Sequence, residues 1–309
     1  MEQATRRDLE LWAFPAGTFL GMLFGLLLPG FGPPTRQYIV WLLVPLMVFS
    51  LVRIKRDELR EGLRRLDLLA AGLAFLYIIV PLVIWGAGLA AGLSPDLLFG
   101  VTLAALAPAI VLAPFFTDMI GGNRVLAAMI SVVSTLLSPL LVPLILVALV
   151  GRTVEVPVGT IALNAGALVG LPVLMALVLR KARPSLRDEP IPGERIVSAV
   201  IFFFFMWGVI ASSLGGIDLL SMPVLLGLAL LQEYAFFFGL RWAFGKLAAK
   251  GLLSVQNAKA LALCIGIKNG ALTAGIALTF SATVAMSSGL ITLVSAPLFV
   301  VFGVFRERV

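Results

Sequence analysis

Few residues in this chain of 309 could do chemistry, and their surroundings limit what kind. Lys268 and Glu233 are charged residues inside long apolar runs, Cys264 is the single cysteine, and there is no histidine. Without histidine no imidazole relay, His-based triad or His–metal cluster can form. One cysteine excludes an internal disulfide and a cysteine-rich zinc site. No metal or cofactor is expected. Cys264 and Lys268 are four residues apart, on one face if the stretch is helical, a spacing open to a nucleophile–base pair. Asp118 and Glu233 are the matching candidates for paired carboxylates. No oxyanion-hole motif or glycine-rich catalytic turn accompanies either pair, so an enzyme is not expected. An ionisable residue inside an apolar span is instead a candidate for an ion or substrate pathway. Lys268 is read that way, with a purely structural buried ion pair as the alternative. Glu233, flanked by Gln232 and Tyr234, is either its counter-ion or a separate proton carrier.

The elements that must hold these residues are membrane spans. The chain is 61% apolar and only 13% charged, against about 25% charged in a soluble domain. Its net charge of +7 therefore does not signal a nucleic-acid partner; the lipid bilayer is the expected one. A membrane helix needs about 20 mostly apolar residues. That rule gives ten segments: Leu11–Leu28, Tyr38–Val52, Leu68–Leu89, Leu97–Met119, Val125–Val150, Gly159–Leu179, Ile196–Leu214, Met222–Leu240, Leu261–Thr279 and Thr283–Val304. The runs are continuous rather than alternating, which excludes a β-barrel. With ten spans, 20 of the 23 basic residues fall on one side, from Arg6 and Arg7 through Arg53–Arg65 to Arg306 and Arg308. Arg36 and Arg152 fall opposite, and Lys268 lies within a span. This asymmetry predicts cytoplasmic termini in the cell (inner) membrane. Arg6-Arg7 before an apolar run resembles a signal peptide, but no small-x-small cleavage site follows, so a retained helix is expected.

Ten spans divide into two sets of five, residues 1–150 and 151–309, and an odd number per set forces opposite orientations. Inverted repeats with discontinuous helices are a common plan of secondary transporters. The fourth span of each set carries an interruption. In the first it is Ala107-Pro108-Ala109-Ile110-Val111-Leu112-Ala113-Pro114, where two prolines remove backbone donors. In the second it is Cys264-Ile265-Gly266-Ile267-Lys268-Asn269-Gly270. Freed backbone groups in lipid must find protein, water or an ion. Ser131, Ser134, Thr135 and Ser138 in the fifth span either bond back to their own helix or form a polar stripe facing the unwound backbone.

Ser131-Val132-Val133-Ser134-Thr135-Leu136-Leu137-Ser138-Pro139, following a proline-broken span and Gly122-Asn123, resembles the bile acid:sodium symporter family. So does Gly266-x-Lys268-Asn269, where that family has a Glu-x-Gly-x-Gln-Asn pattern, and so does Leu46-Met47-Val48-Phe49-Ser50-Leu51 before a short basic loop. The resemblance implies an all-α polytopic protein of ten helices, with a panel domain beside a core domain. In the core the unwound fourth and ninth helices cross in front of two sodium ions.

The departures from that family bear on function. Its sodium-ligating glutamate falls on Cys264 and its glutamine on Lys268. A fourth-helix Ser-Asn pair falls on Ala113 and Pro114, a third-helix glutamine on Leu76 and a fifth-helix serine on Ala127; Ser131 keeps a hydroxyl. Too few oxygens remain for sodium, and an amine stands where one ion would sit, supplying one charge and three donors. No sodium is expected. The expectation is a sodium-independent carrier of a small organic anion working by alternating access. Asn269, Gly270, Val111 and Leu112 would bind the substrate, and Lys268, Glu233, Cys264 and Ser131 would serve coupling. Pro108, Pro114 and Gly266 would break the helices, and protons are the candidate coupling ion. Facilitated exchange with a permanently charged Lys268, or a non-transporting sensor of the same fold, stand as alternatives. The family's tenth-helix His-Asn pair falls on Ala296-Pro297, so its bile-acid substrate does not transfer.

Overall fold

The computed structural model describes the chain apart from residues 1, 32–33, 35–37, 53–64, 153–154, 188–192, 215–218 and 305–309. Among the described residues it is helical, and its one β-type contact is an isolated antiparallel bridge between Ala109 and Lys268. The helices are α1 (Glu2–Leu27), α2 (Leu43–Val52), α3 (Leu66–Ala90), α4 (Pro95–Ala105), α5 (Ala113–Met119) and α6 (Arg124–Val150). They continue with α7 (Val158–Ala182), α8 (Glu194–Ser213), α9 (Met222–Ala249), α10 (Val255–Gly266), α11 (Gly270–Ala277) and α12 (Ala282–Val304). Among the described residues, five stretches are long and apolar enough to cross a membrane: Leu66–Ala90, Arg124–Val150, Val158–Ala182, Ile196–Ser213 and Met222–Ala249.

The two interruptions read from the sequence are real breaks. Between α4 and α5, residues 106–112 leave the helix, and between α10 and α11 the chain is non-helical from Ile267 to Asn269. Three span boundaries differ from expectation: the first helix begins at Glu2 rather than Leu11, and the eighth and ninth also run longer. The eighth apolar run continues as helix through Arg241 and Lys246 to Ala249 rather than stopping at Leu240. There the Lys246 ammonium lies over the Trp242 ring, 3.6 Å from its centre, so the basic residue packs along the helix instead of ending it. The ninth starts at Val255, where Ser254 caps the helix by accepting the Asn257 N–H, and so takes in Lys259.

α3 and α9 each contain a π-turn, at Phe75–Ile79 and Leu231–Ala235. Such turns are rare and leave backbone groups without their usual partners. In α3 the cause is legible: Pro81 has no N–H, and its ring crowds the carbonyl one turn earlier. On the far side of the molecule α1 lies against α8 through Gly17, Gly21 and Gly25; a Cβ at Gly21 would come 2.4 Å from the Phe203 carbonyl oxygen. The basic residues Arg36, Arg53, Lys55, Arg56, Arg60, Arg64, Arg306 and Arg308, which carried much of the orientation argument, lie outside the described residues.

Candidate functional site at the crossing of the two breaks

The two interrupted segments pair with each other. Ile110 donates its N–H to the Ile267 carbonyl at 3.2 Å, and Asn269 donates to the Pro108 carbonyl at 2.8 Å. Prolines and helix ends had left those groups unmatched, and the crossing satisfies them without water, as an apolar surrounding requires.

Lys268 is at the centre, 1% exposed. Its Nζ donates to the Leu76 and Ala105 carbonyls, each at 3.1 Å. Both acceptors are free for identifiable reasons. In α3 the Val80 N–H turns to Phe75, and Pro81 has none, so the Leu76 carbonyl loses its helical donors. At the end of α4 Pro108 again lacks an N–H, and the Ala109 N–H goes to Ser134 Oγ at 3.2 Å. Two prolines thus release the two carbonyls that receive the amine. The second is also the negative end of the α4 dipole, which favours a cation.

α6 supports the crossing from behind. Ser131 Oγ donates to the Ile110 carbonyl at 3.0 Å, and Ser134 Oγ, besides accepting from Ala109, donates to the Ser131 carbonyl at 3.1 Å. Both readings of the stripe therefore hold in part: Ser131 and Ser134 face the unwound backbone, Ser134 and Ser138 bond back to their own helix, and the Thr135 hydroxyl, buried without a partner, does neither. Tyr77 Oη, from the α3 π-turn, donates to the Ser134 carbonyl at 2.5 Å. On the other side the Glu233 carboxyl accepts the Lys268 backbone N–H through Oε1 at 3.4 Å. It meets the backbone of Lys268 rather than the ammonium that the counter-ion alternative would pair it with.

Gly266 is where α10 touches the α9 backbone. An added Cβ would stand 2.6 Å from Phe237 Cα and 2.8 Å from its N, so only glycine permits the approach. Asn269 caps α11 by accepting the Leu272 N–H at 3.4 Å and is partly exposed. Gly270 opens that helix and is buried; Val111 and Leu112 form the partly exposed turn before α5, whose second residue is Pro114.

Cys264 lies apart, its Sγ 3.8 Å from the Ala127 carbonyl. It does not pair with Lys268: α10 ends at Gly266, and the lysine beyond it reaches the Leu76 and Ala105 carbonyls while Cys264 Sγ lies against Ala127. The nucleophile–base reading of that spacing is corrected accordingly. Paired carboxylates also fail, since Asp118 is exposed and Glu233 fully buried.

Residues that sequence reasoning missed include Tyr77, Ala105 and Pro81. Pro81 was the available signal, a proline in mid-span four residues after a tyrosine. At the cytoplasmic end expected for α5, Lys259 Nζ donates to the Ile120 carbonyl at 2.5 Å and Asn123 Nδ2 to Asn257 Oδ1 at 2.8 Å. These contacts join the two broken helices a second time.

Apolar helices able to cross a bilayer, with broken helices meeting around a buried basic residue, define a multi-pass membrane transporter. The chain belongs to the Sodium Bile acid symporter family, whose model matches residues 40–222. It is similar to YocS of Bacillus subtilis (strain 168), described as an uncharacterized sodium-dependent transporter. The two are 23% identical over 270 residues, covering 84% of this chain and 82% of that one. It is also 30% identical over 145 residues to YbaS, an uncharacterized protein of the same organism; the match covers 47% of this chain and 46% of YbaS.

Proposed function

We propose that this protein is a sodium-independent secondary transporter of a small organic anion, working by alternating access in the cell (inner) membrane. Its ten spans form two inverted sets of five, residues 1–150 and 151–309, with both termini cytoplasmic. The observation that carries the reading is the pair of bonds from Lys268 Nζ to the Leu76 and Ala105 carbonyls. Lys268 and Leu76 stand where the resemblance puts two sodium ligands of the family, and the amine meets backbone oxygens there as an ion would. A tethered cation cannot leave with the substrate; it can move or exchange a proton.

Asn269, Val111 and Leu112 lie at the partly exposed edge of the crossing, with the buried Gly270 opening α11 beside them, where a carboxylate would meet backbone donors at the start of α11. Lys268 supplies the nearby positive charge, and Ser131 and Glu233 hold its surroundings. Cys264 fills the position of the family's glutamate with a group that ligates no hard cation. A facilitative exchanger with a permanently charged Lys268 is the second reading, favoured by the two carbonyl acceptors that stabilise the ammonium.

The test is the melting temperature of the purified protein in sodium chloride against choline chloride at equal ionic strength, for wild type and Lys268→Gln. A ligand that binds only the folded state raises it. No sodium effect in wild type, with the variant destabilised, is expected. Saturable stabilisation of wild type by sodium, lost in the variant, would overturn the reading and align this chain with the name YocS carries.

A further inference from the structure

The π-turn of α3 gives up a carbonyl that Lys268 fills. The π-turn of α9 presents two groups that nothing fills. Gln232 and Glu233 are both 0% exposed, and Gln232 Oε1 and Glu233 Oε2 have no hydrogen-bond partner. Consecutive residues of an α-helix face well apart, whereas the wider π-turn splays them less and lets both point inward. The Gln232 amide is oriented, because its Nε2 donates to the Ala104 carbonyl at 3.4 Å. Flipping it would set oxygen against oxygen, so Oε1 faces away from α4. Glu233 is oriented too: Oε1 takes the Lys268 N–H, which leaves Oε2 directed elsewhere. Ser295 of α12 lies beside this carboxyl, its hydroxyl donating back to the Ile291 carbonyl at 2.8 Å, so its oxygen is open to a cation.

A fully buried carboxyl oxygen is costly to leave with no more than a Ser295 hydroxyl shared with the Ile291 carbonyl, and a buried amide oxygen adds to that cost. Oxygen atoms without donors suit a hard cation. The surrounding charge limits how much positive charge fits. Lys268 reaches Glu233 from the α10–α11 connection, and Tyr234, on the same turn, donates its hydroxyl to the Val294 carbonyl at 3.1 Å. Cys264 on α10 faces Ala127, and Arg241 lies eight residues further along α9. With Lys268 neutral, one positive charge balances the carboxylate; with Lys268 charged the pair is already balanced, and a divalent ion would overshoot in either case.

We propose that Glu233 Oε2 and Gln232 Oε1, with Ser295 Oγ beside them, form a binding site for one small monovalent cation, a proton or a sodium ion. It deepens the transport reading above by naming where a coupling ion sits once Lys268 has taken the older position. The site adjoins the Lys268 N–H and hence the start of α11. Occupying it neutralises the carboxylate nearest the anion's place, so cation and anion bind better together than apart, and reciprocally.

The experiment is infrared spectroscopy of the purified full-length protein at neutral pH, in sodium chloride and in choline chloride, with exchange into D2O. Surface carboxylates are ionised there, so a carboxylic-acid carbonyl band that shifts in D2O reports a buried acid. If the site holds a proton, wild type shows that band in both salts, Glu233→Gln loses it, and Gln232→Leu lowers proton affinity about tenfold. If it holds sodium, the band is weak in sodium and grows in choline, and sodium raises the melting temperature by about 5 °C in wild type but not in Glu233→Gln. The sodium result keeps the site and overturns sodium independence alone. No exchange-sensitive acid band in wild type in either salt, with no sodium stabilisation, overturns the site, whether or not the variants fold, and leaves the Lys268 reading to its own test.

Discussion

Lys268 Nζ lies 3.1 Å from the Leu76 carbonyl and 3.1 Å from the Ala105 carbonyl, so one side chain ties together α3, the end of α4 and the crossing. These contacts are more than packing, because a proline releases each carbonyl. Lys268→Met keeps the stem and removes the donors, leaving two buried carbonyls unmet. At about 1–3 kcal/mol for each, and a few degrees per kcal/mol, the melting temperature should fall by about 5–15 °C in detergent. A fall of a degree or less would show that the amine merely occupies space.

Pro81→Ala restores an N–H that competes for the carbonyls of the α3 π-turn. In isolation it should be nearly neutral, since proline costs a helix stability. In a double-mutant cycle with Lys268→Gln, however, the two should couple by about 0.5–3 kcal/mol. Simple additivity in denaturation midpoints would mean that Leu76 stays available whatever residue follows.

Gly266→Ala pushes a methyl group into the backbone of Phe237. Backbone cannot rotate aside, so overpacking of about 1–3 kcal/mol is expected, together with loss of transport in proteoliposomes. Phe237→Ala should not rescue it, because two of the clashing atoms are main-chain Cα and N. Rescue by that truncation would place the obstruction in the ring instead.

Tyr77→Phe removes the donor to the Ser134 carbonyl and keeps the ring. The expected cost is about 1 kcal/mol, read as a lower melting temperature. Ser131→Ala, which takes away the donor to Ile110, should cost about as much. If both were silent, α6 would not be supporting the crossing through these bonds.

Lys259 tests the second junction. Its Nζ donates to the Ile120 carbonyl, so Lys259→Met should cost about 1–3 kcal/mol, read as a lower melting temperature. An unchanged melting temperature would show that this contact does not hold the junction.

How much of this was legible beforehand varies by residue. The breaks at Pro108 and Gly266, the buried Lys268 and the serines of α6 were all read from residue type and spacing, because prolines, glycines and charges inside apolar runs have local consequences that no neighbour can hide. Span ends were less legible. Arg241 and Lys259 looked like loop residues, yet both are helical, since long basic side chains can lie along a helix at the membrane edge.

Residue types and their order along the chain determined that this is a helical membrane protein with two breaks, and that one break carries a lysine. The order could not say which atoms the lysine meets. Leu76 and Lys268 are 192 residues apart, and Leu76 contributes a carbonyl that every residue possesses, so no side chain advertises the contact. Likewise only the folded backbone turned Cys264 away from Lys268, set Glu233 against a main-chain N–H, and left Glu233 Oε2 and Gln232 Oε1 bare. Backbone acceptors and unfilled oxygens carry no signature of their own in a sequence; they become sites when tertiary packing decides which donors reach them.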